Sequence, residues 1–390
     1  MSNKLSAMFK KNIRSSVMII ALAVVTILFE FLTGGVLLKP LNISNLIMQN
    51  AYILILSIGM LLAILTGGNI DLSVGSVAGF VGAISAVLVV SMGMPVFWAI
   101  MISLLVGLLI GIWQGFWIAY RGVPAFIATL AGMLVFRGLT LVILQGKSIA
   151  PLPKSYSFLA SGFIPDIFGG TNINILAVAM GIVASLIYLF FQIKSRAAKS
   201  KYDFEVTPAW LFNIKNIGII AIINAFTFAL ASYRGIPMVL VIVVVLVIVY
   251  SFFTMKTIPG RHIYAFGGNE KASKLSGVNV KKTLFWVYVN MSVLAAFAGI
   301  IFTGRLGSAT PKAGVNFELD AIAACFIGGA STTGGVGTVV GAIVGGLLMG
   351  VLNNGMSILG VSIDWQQAIK GFVLLSAVAF DVYSKSKVKS

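Results

Sequence analysis

Asp71 lies in GGNIDLSVGS, residues 67–76, where two glycines and Asn69 precede it and Ser73 follows, in sequence otherwise fit for lipid. An ionisable group at membrane depth is expensive and marks a functional site by default. The same carboxylate also suits the N-terminus of a helix restarting there, where it would accept backbone N–H bonds. A helix broken at Gly67-Gly68 and resumed at Asp71 or Ser73 would serve both roles on a transport pathway. Arg137 lies near the end of VPAFIATLAGMLVFRG, residues 123–138, and needs a carboxylate, helix-end carbonyls or water. A structural ion pair within a bundle is the expected arrangement, and a place on the pathway is the alternative. Gln114, Asn290, Asn353, Asn354 and Asp364 are polar groups suited to an uncharged solute rich in hydroxyls, with the aromatic faces of Trp113 or Trp365 nearby. Each serves equally well as a bridge between helices. The pathway candidates are therefore Asn69, Asp71, Ser73, Gln114, Arg137, Asn353 and Asn354. Glu318 and Asp320 open ELDAIAACFIGGASTTGGVGT, residues 318–338. They are expected at the outer mouth, meeting a soluble partner or capping a helix.

Catalytic chemistry finds little footing. His262 and Cys325 are the only histidine and cysteine, so neither a Ser/His/Asp set, a Cys/His pair, a metal cluster nor an intrachain disulfide is expected. The run GKS at 146–148 has Leu141 where a nucleotide-binding loop needs glycine, and no other segment supplies that loop. The chain is expected to be no enzyme and to bind no cofactor of its own.

The elements that must position these groups follow from composition. Of 390 residues, 59% are hydrophobic and 9% charged, with mean hydropathy +1.05, whereas soluble proteins carry about 25% charged residues. Apolar runs long enough to cross about 30 Å of hydrocarbon recur. The fold class is all-α: a single polytopic helical membrane bundle spanning residues 1–390, with about 10–12 transmembrane segments. Spans are expected near 17–38, 46–66, 73–94, 96–120, 125–146, 174–192, 214–232, 235–256, 284–304, 318–332, 336–354 and 363–382. Glycine and proline interrupt them at 66–73, 121–126 and 328–337, and broken helices at membrane depth belong where they are buried or line a cavity. Pro124 is expected at the first position of its helix, where its missing N–H costs nothing.

The net charge of +17 would suggest nucleic acid in a soluble protein, but here it sorts by loop. Lys4, Lys10, Lys11 and Arg14 precede the first span. Lys194, Arg196, Lys199 and Lys201 share one loop, and Lys256, Arg261, Lys271, Lys274, Lys281 and Lys282 another. Lys385, Lys387 and Lys389 end the chain. The positive-inside bias then makes 1–16, 193–213, 257–283 and 384–390 cytoplasmic and 147–173 external, with both termini inside. Attraction to anionic membrane lipid is a secondary effect of the same charge, and nucleic acid is not an expected partner. An imperfect internal echo is also visible: SVGSVAG at 73–79 against GVGTVVG at 335–341, each shortly after a Gly-Gly pair. Paired glycine-broken segments point to a transport site between repeats, although small-residue motifs also recur wherever membrane helices pack closely.

The segment GRHIYAFGGNEKASKLSGVNVKKT, residues 260–283, is the longest hydrated stretch with the pattern of an ordered element. Within it NEKASKLSGV, 269–278, fits a short amphipathic helix with Ala272, Leu275 and Ser276 on one face, ended by Gly277. It reads either as a dock for another protein or as a basic helix lying on the membrane. Together with GGNIDLSVGS, VPAFIATLAGMLVFRG and ELDAIAACFIGGASTTGGVGTVVGA, it resembles the permease subunit of ribose/galactose/xylose-type ABC sugar importers, most of all the xylose or multiple-monosaccharide branch. The resemblance covers roughly residues 46–382. It implies a pair of permease copies in the bacterial inner membrane, a cytoplasmic ATPase holding ATP and Mg, and a secreted or periplasmic sugar-binding protein. It also implies that 260–283 holds the coupling helix, assigned by motif to Arg261, Tyr264, Gly267, Gly268, Asn269, Ala272, Leu275, Ser276 and Gly277. Permeases for branched-chain amino acids or nucleosides, an ion-coupled transporter, and a structural membrane protein are the alternatives.

Overall fold

The computed structural model describes residues 13–170, 173–202, 204 and 206–389. The basic cluster expected at Lys4, Lys10 and Lys11 lies outside the described residues. Helices run α1 Ile13–Leu32, α2 Pro40–Leu65, α3 Val74–Ala86, α4 Val96–Gly115, α5 Ala125–Leu144, α6 Lys154–Ser161, α7 Ile175–Lys201 and α8 Ala209–Ala231. They continue with α9 Met238–Lys256, α10 Ile258–Gly268, α11 Glu270–Leu275, α12 Val280–Leu306, α13 Phe317–Ile327, α14 Val339–Ile358 and α15 Ile363–Lys389. Among the described residues, nine helices are long and apolar enough to cross a membrane. The chain is thus a polytopic helical bundle.

Burial sorts the helices into a centre and a rim. The most apolar window of α2 is 89% buried inside the protein, whereas α7, α8 and α9 each bury only 17% of theirs. Around α2 pack α9, α12, α13 and α14, and α12 also packs against α3 and α4. Small residues permit these close approaches: a Cβ at Gly299 of α12 would collide with the Ala78 backbone of α3, and one at Gly107 of α4 with Ala296. Van der Waals packing of this kind holds helices together where lipid offers no hydrophobic gain. The α7–α8 pair forms a hairpin at the rim, whose outer faces are exposed apolar side chains such as Ile187, Phe190, Ile217 and Ile222.

Two connections share one design. Helix α3 ends in a π turn at Val87–Ser91 and α4 in another at Phe116–Tyr120. Each is followed by glycine, one residue and proline, at Gly93-Met94-Pro95 and Gly122-Val123-Pro124. Pro124 occupies the N-cap with extended ψ of 133°, one residue ahead of the first-turn position expected for it.

The expected span at 318–332 is corrected. Helix α13 has only 11 residues, about 16 Å of rise, roughly half of a ~30 Å hydrocarbon layer. Tyr264 of α10 donates to the Gly337 carbonyl at 2.7 Å, so α14 starts on the side of the membrane where α10 lies. The chain must therefore return between α12 and α14. It does so as an irregular stretch over 307–316 followed by α13, with Ala313 and Gly314 lying against Gly75 and Gly79 of α3. The irregular backbone is tolerated because it is buried in protein. Further corrections concern the loops. Helix α7 continues to Lys201 and α8 begins at Ala209, so most of 193–213 is helical; 147–173 contains α6; and α15 extends into the segment expected as a tail, as far as Lys389.

Candidate functional site

Residues 66–73, between α2 and α3, form the break expected from the Gly-Gly pair, and Asp71 is fully buried there. Its Oδ1 accepts from the Ser73 backbone N–H at 2.8 Å and the Ser73 hydroxyl at 2.6 Å. This closes a tight turn that aims α3, but Asp71 is not the helix cap: Ser73 holds the N-cap position, with no side-chain capping bond. The Ser73 hydroxyl in turn accepts from Gln114 Nε2 of α4 at 2.7 Å, and Gln114 Oε1 accepts from Ser292 of α12 at 3.4 Å. Helix α5 comes close enough here that a Cβ at Gly132 would strike the Gln114 amide. Four helices thus converge on one polar chain.

Arg137 does not form the expected ion pair. Its Nε and Nη2 both donate to the Ser76 hydroxyl of α3, each at 3.3 Å. Glu318 lies near enough to Arg137 and Asp71 to interact through space, and its Oε2 would meet a Cβ at Gly75. Three buried polar atoms of this neighbourhood, Asp71 Oδ2, Glu318 Oε2 and the Tyr288 hydroxyl, have no hydrogen-bond partner. Leaving such groups unpaired costs roughly 1–3 kcal/mol each, which favours a water or a ligand hydroxyl at this break.

Glu318 and Asp320 are 7% and 4% exposed, so the expected outer-mouth position is corrected: neither presents its carboxylate to solvent. Asp320 pairs with Lys370 of α15 at 2.8 Å and accepts from the Tyr52 hydroxyl of α2 at 3.1 Å. Asn354 of α14 exchanges hydrogen bonds with Asn42 of α2 at 2.7 and 3.2 Å, and Asn353 reaches Asn50 at 3.5 Å. Both asparagines bridge helices. Asn290 accepts from the Tyr250 hydroxyl, and Asp364 lies in the first turn of α15.

Asn69 has a different setting. Its Nδ2 donates to the Thr66 carbonyl at 2.7 Å, and it lines a cavity of about 440 Å³ with Thr66, Pro124, Gly268, Asn269 and Glu270. That cavity joins the α2–α3 break to the expected coupling segment. The segment itself forms two helices, α10 and α11, divided at Asn269, whose Oδ1 caps α11 by accepting from Ala272 N–H at 3.0 Å. Gly277 ends α11 at φ +86°. Its N–H donates to Lys274 O and that of Val278 to Ser273 O, the paired bonds of a Schellman motif. Ala272, Leu275 and Ser276 share the exposed face, while Ser273 faces inward. Leu275 is 90% exposed.

Three glycine pairs meet where α10 ends. The Gly335 N–H donates to the Leu65 carbonyl, the last of α2, at 3.0 Å. A Cβ at Gly267 would land on that same carbonyl, and one at Gly334 would lie 2.6 Å from Gly67 Cα. The α2–α3 break, the α13–α14 break and the coupling segment are therefore in backbone contact with no side chain between them. Sequence reasoning marked all three segments, the second as the break at 328–337 and the echo at 335–341, but not that they touch one another. It also missed Ser76 as the partner of Arg137 and the Tyr52–Asp320–Lys370 group, which join residues too far apart in sequence to pair by pattern.

Comparison with known proteins agrees with this architecture. Residues 42–378 match the family described as branched-chain amino acid transport system / permease component. The chain is 40% identical to the xylose transport system permease protein of Haemophilus influenzae over 384 residues, covering 97% of this chain and 98% of the relative. It is 38% identical to the Escherichia coli xylose transport system permease protein, covering 99% and 96%. The ribose import permease protein of Bacillus subtilis is 38% identical, covering 88% and 85%. No solved structure matches. With its helical bundle matched across 42–378 and its length matched nearly end to end by permeases, the chain belongs to this transport-system permease family.

Proposed function

We propose that this chain is the membrane-spanning subunit of an ATP-driven importer for a monosaccharide of the xylose type, working as a pair of copies in the bacterial inner membrane. A separate cytoplasmic ATPase binds ATP and Mg, and a secreted or periplasmic binding protein delivers the sugar. Both termini face the cytoplasm, with the basic ends of α7 and α9 and the segment 257–283, in keeping with the positive-inside bias. The observation that carries the reading is the glycine junction, which links the exposed α10–α11 segment to both broken helices. An ATPase that grips Leu275 and moves this segment would displace Leu65 and Gly335 together. That would reshape the α2–α3 break, where Asn69 and Asp71 offer groups for sugar hydroxyls. Ser73, Gln114, Arg137 and Asn354 spend their hydrogen bonds between helices, so Asn69, Asp71 and Asn353, whose Oδ1 is buried without a partner, are the pathway residues retained.

The test is purification of the complex from its native membrane in mild detergent, followed by reconstitution with the binding protein. Accumulation of labelled xylose that requires ATP, with an ATPase that co-purifies, supports the reading. Uptake of branched-chain amino acids in place of sugars would overturn the substrate. Uptake by this chain alone under an ion gradient would overturn the mechanism.

A further inference from the structure

A second cavity lies beside the coupling segment, outside the polar break. It measures about 740 Å³ and is bounded by α9, α10, α12 and Leu62 of α2. Its walls are apolar between two polar ends. Nearest α11 stand His262, Asn279 and Lys282; further along α9 and α12 lie Val249, Phe253 and Val287. From Lys282 to Asn290 the α12 wall runs about 12 Å into the bundle, at 1.5 Å per residue. At the inner end the Asn290 Nδ2 is buried without a partner, while its Oδ1 accepts from Tyr250. The rim is exposed and apolar: Val249, Ile258 and Trp286 are 52%, 61% and 53% exposed, as expected of a mouth opening to lipid.

We propose that this groove seats one anionic phospholipid, its phosphate at Lys282 and His262 and an acyl chain along Val249, Phe253 and Val287. Charge complementarity selects this occupant. No acidic residue lines the cavity, and the surrounding segment carries Lys256, Arg261, Lys271, Lys274, Lys281 and Lys282 against Glu270 alone. A cationic mouth over an apolar slot matches an amphiphile with a negative head, and basic residues near a bilayer surface attract such lipids. Because Ile258, Pro259, His262 and Ile263 of α10 form one wall, the seated lipid would brace the helix that carries the glycine junction. The inference needs only the fold and the position of the bilayer boundary. It stands whether or not the sugar assignment does.

Trp286 at the rim provides the readout. The full chain in mixed micelles is titrated with brominated phosphatidylglycerol and, separately, brominated phosphatidylcholine. The fluorescence of Trp286 is taken as the difference from Trp286→Phe. The anionic lipid is expected to quench Trp286 at about fivefold lower mole fraction than the zwitterionic one, the effect of one lysine at a membrane surface. Lys282→Glu should abolish the preference and Lys282→Arg should keep it, both with unchanged size-exclusion profiles. Equal quenching by the two lipids, or a preference that survives Lys282→Glu, overturns the proposal. So does a Trp286 reached by neither lipid because a second copy covers the groove. Competition by millimolar inorganic phosphate would assign the mouth to a free anion and overturn the lipid.

Discussion

Gly267→Ala is the sharpest perturbation of the coupling path. The new methyl would fall on the Leu65 carbonyl oxygen and 2.5 Å from the Gly335 nitrogen, between a donor and acceptor now 3.0 Å apart. Both neighbours are backbone, so no side chain can rotate away. Overpacking of this kind costs about 1–3 kcal/mol, and loss of the hydrogen bond adds about 1 kcal/mol. The sum disfavours the closed junction by roughly 30-fold or more. The adjacent residue supplies the control, because a Cβ at Gly268 meets nothing within 4 Å. Alanine is the better helix former by about 1 kcal/mol, so Gly268→Ala should be neutral or slightly stabilising. ATP-driven uptake in proteoliposomes, with ATPase and binding protein present, should fall at least tenfold (a conservative part of that penalty) for Gly267→Ala and stay near normal for Gly268→Ala, at equal membrane insertion. Equal uptake by the two variants would refute the argument that backbone contact at the junction transmits motion.

Leu275→Asp should leave insertion and thermal stability unchanged, because the side chain is 90% exposed. Co-purification of the ATPase should weaken by at least tenfold, the share of a buried leucine being about 1.5–3 kcal/mol. Lys370→Met should destabilise the chain in detergent by about 3 kcal/mol, at the low end for a broken buried pair because Lys370 is 19% exposed. The double variant Asp320→Leu with Lys370→Met should recover most of that loss in a thermal melt. Desolvation opposes ionisation of Asp166, yet hydrogen bonds from the amides of Phe168, Ile175, Gly170 and Leu176 outweigh it and hold its carboxyl below the usual carboxylate range. This clamp should be complete above the unfolded value of about 3.9 and lost only as pH falls through the lower folded value. Pepsin cleavage near residue 166 should rise below that point, whereas Asp166→Asn should loosen the loop already at neutral pH.

What was legible in the sequence depended on the range of the interaction. Apolar length located the nine crossing helices among the described residues, since each is written in contiguous residues. The stop at Gly277 and the break at Gly67-Gly68 were legible because glycine near a helix end is a local signal. The outer-mouth assignment of Glu318 and Asp320 failed for a different reason. Pattern alone shows an acidic pair ahead of an apolar run, but Lys370 and Tyr52, which account for burying Asp320, stand 50 and 268 residues away. The same holds for Arg137, whose partner Ser76 is 61 residues distant. The half-length α13 was hidden because its apolar composition continues into Gly328 and beyond, and only the return of the chain to α10 fixes where the helix ends.

The burial of α2 bears on how the chain is made. Its enclosing neighbours α9, α12, α13 and α14 all follow it in the sequence. During synthesis α2 enters the bilayer before any of them exists and must wait there bathed in lipid. Its high hydropathy is thus demanded by transit, whereas in the finished protein most of its surface touches only other helices. A polar residue that the mature core would accommodate through a later-arriving partner is therefore penalised at insertion, before that partner has been translated.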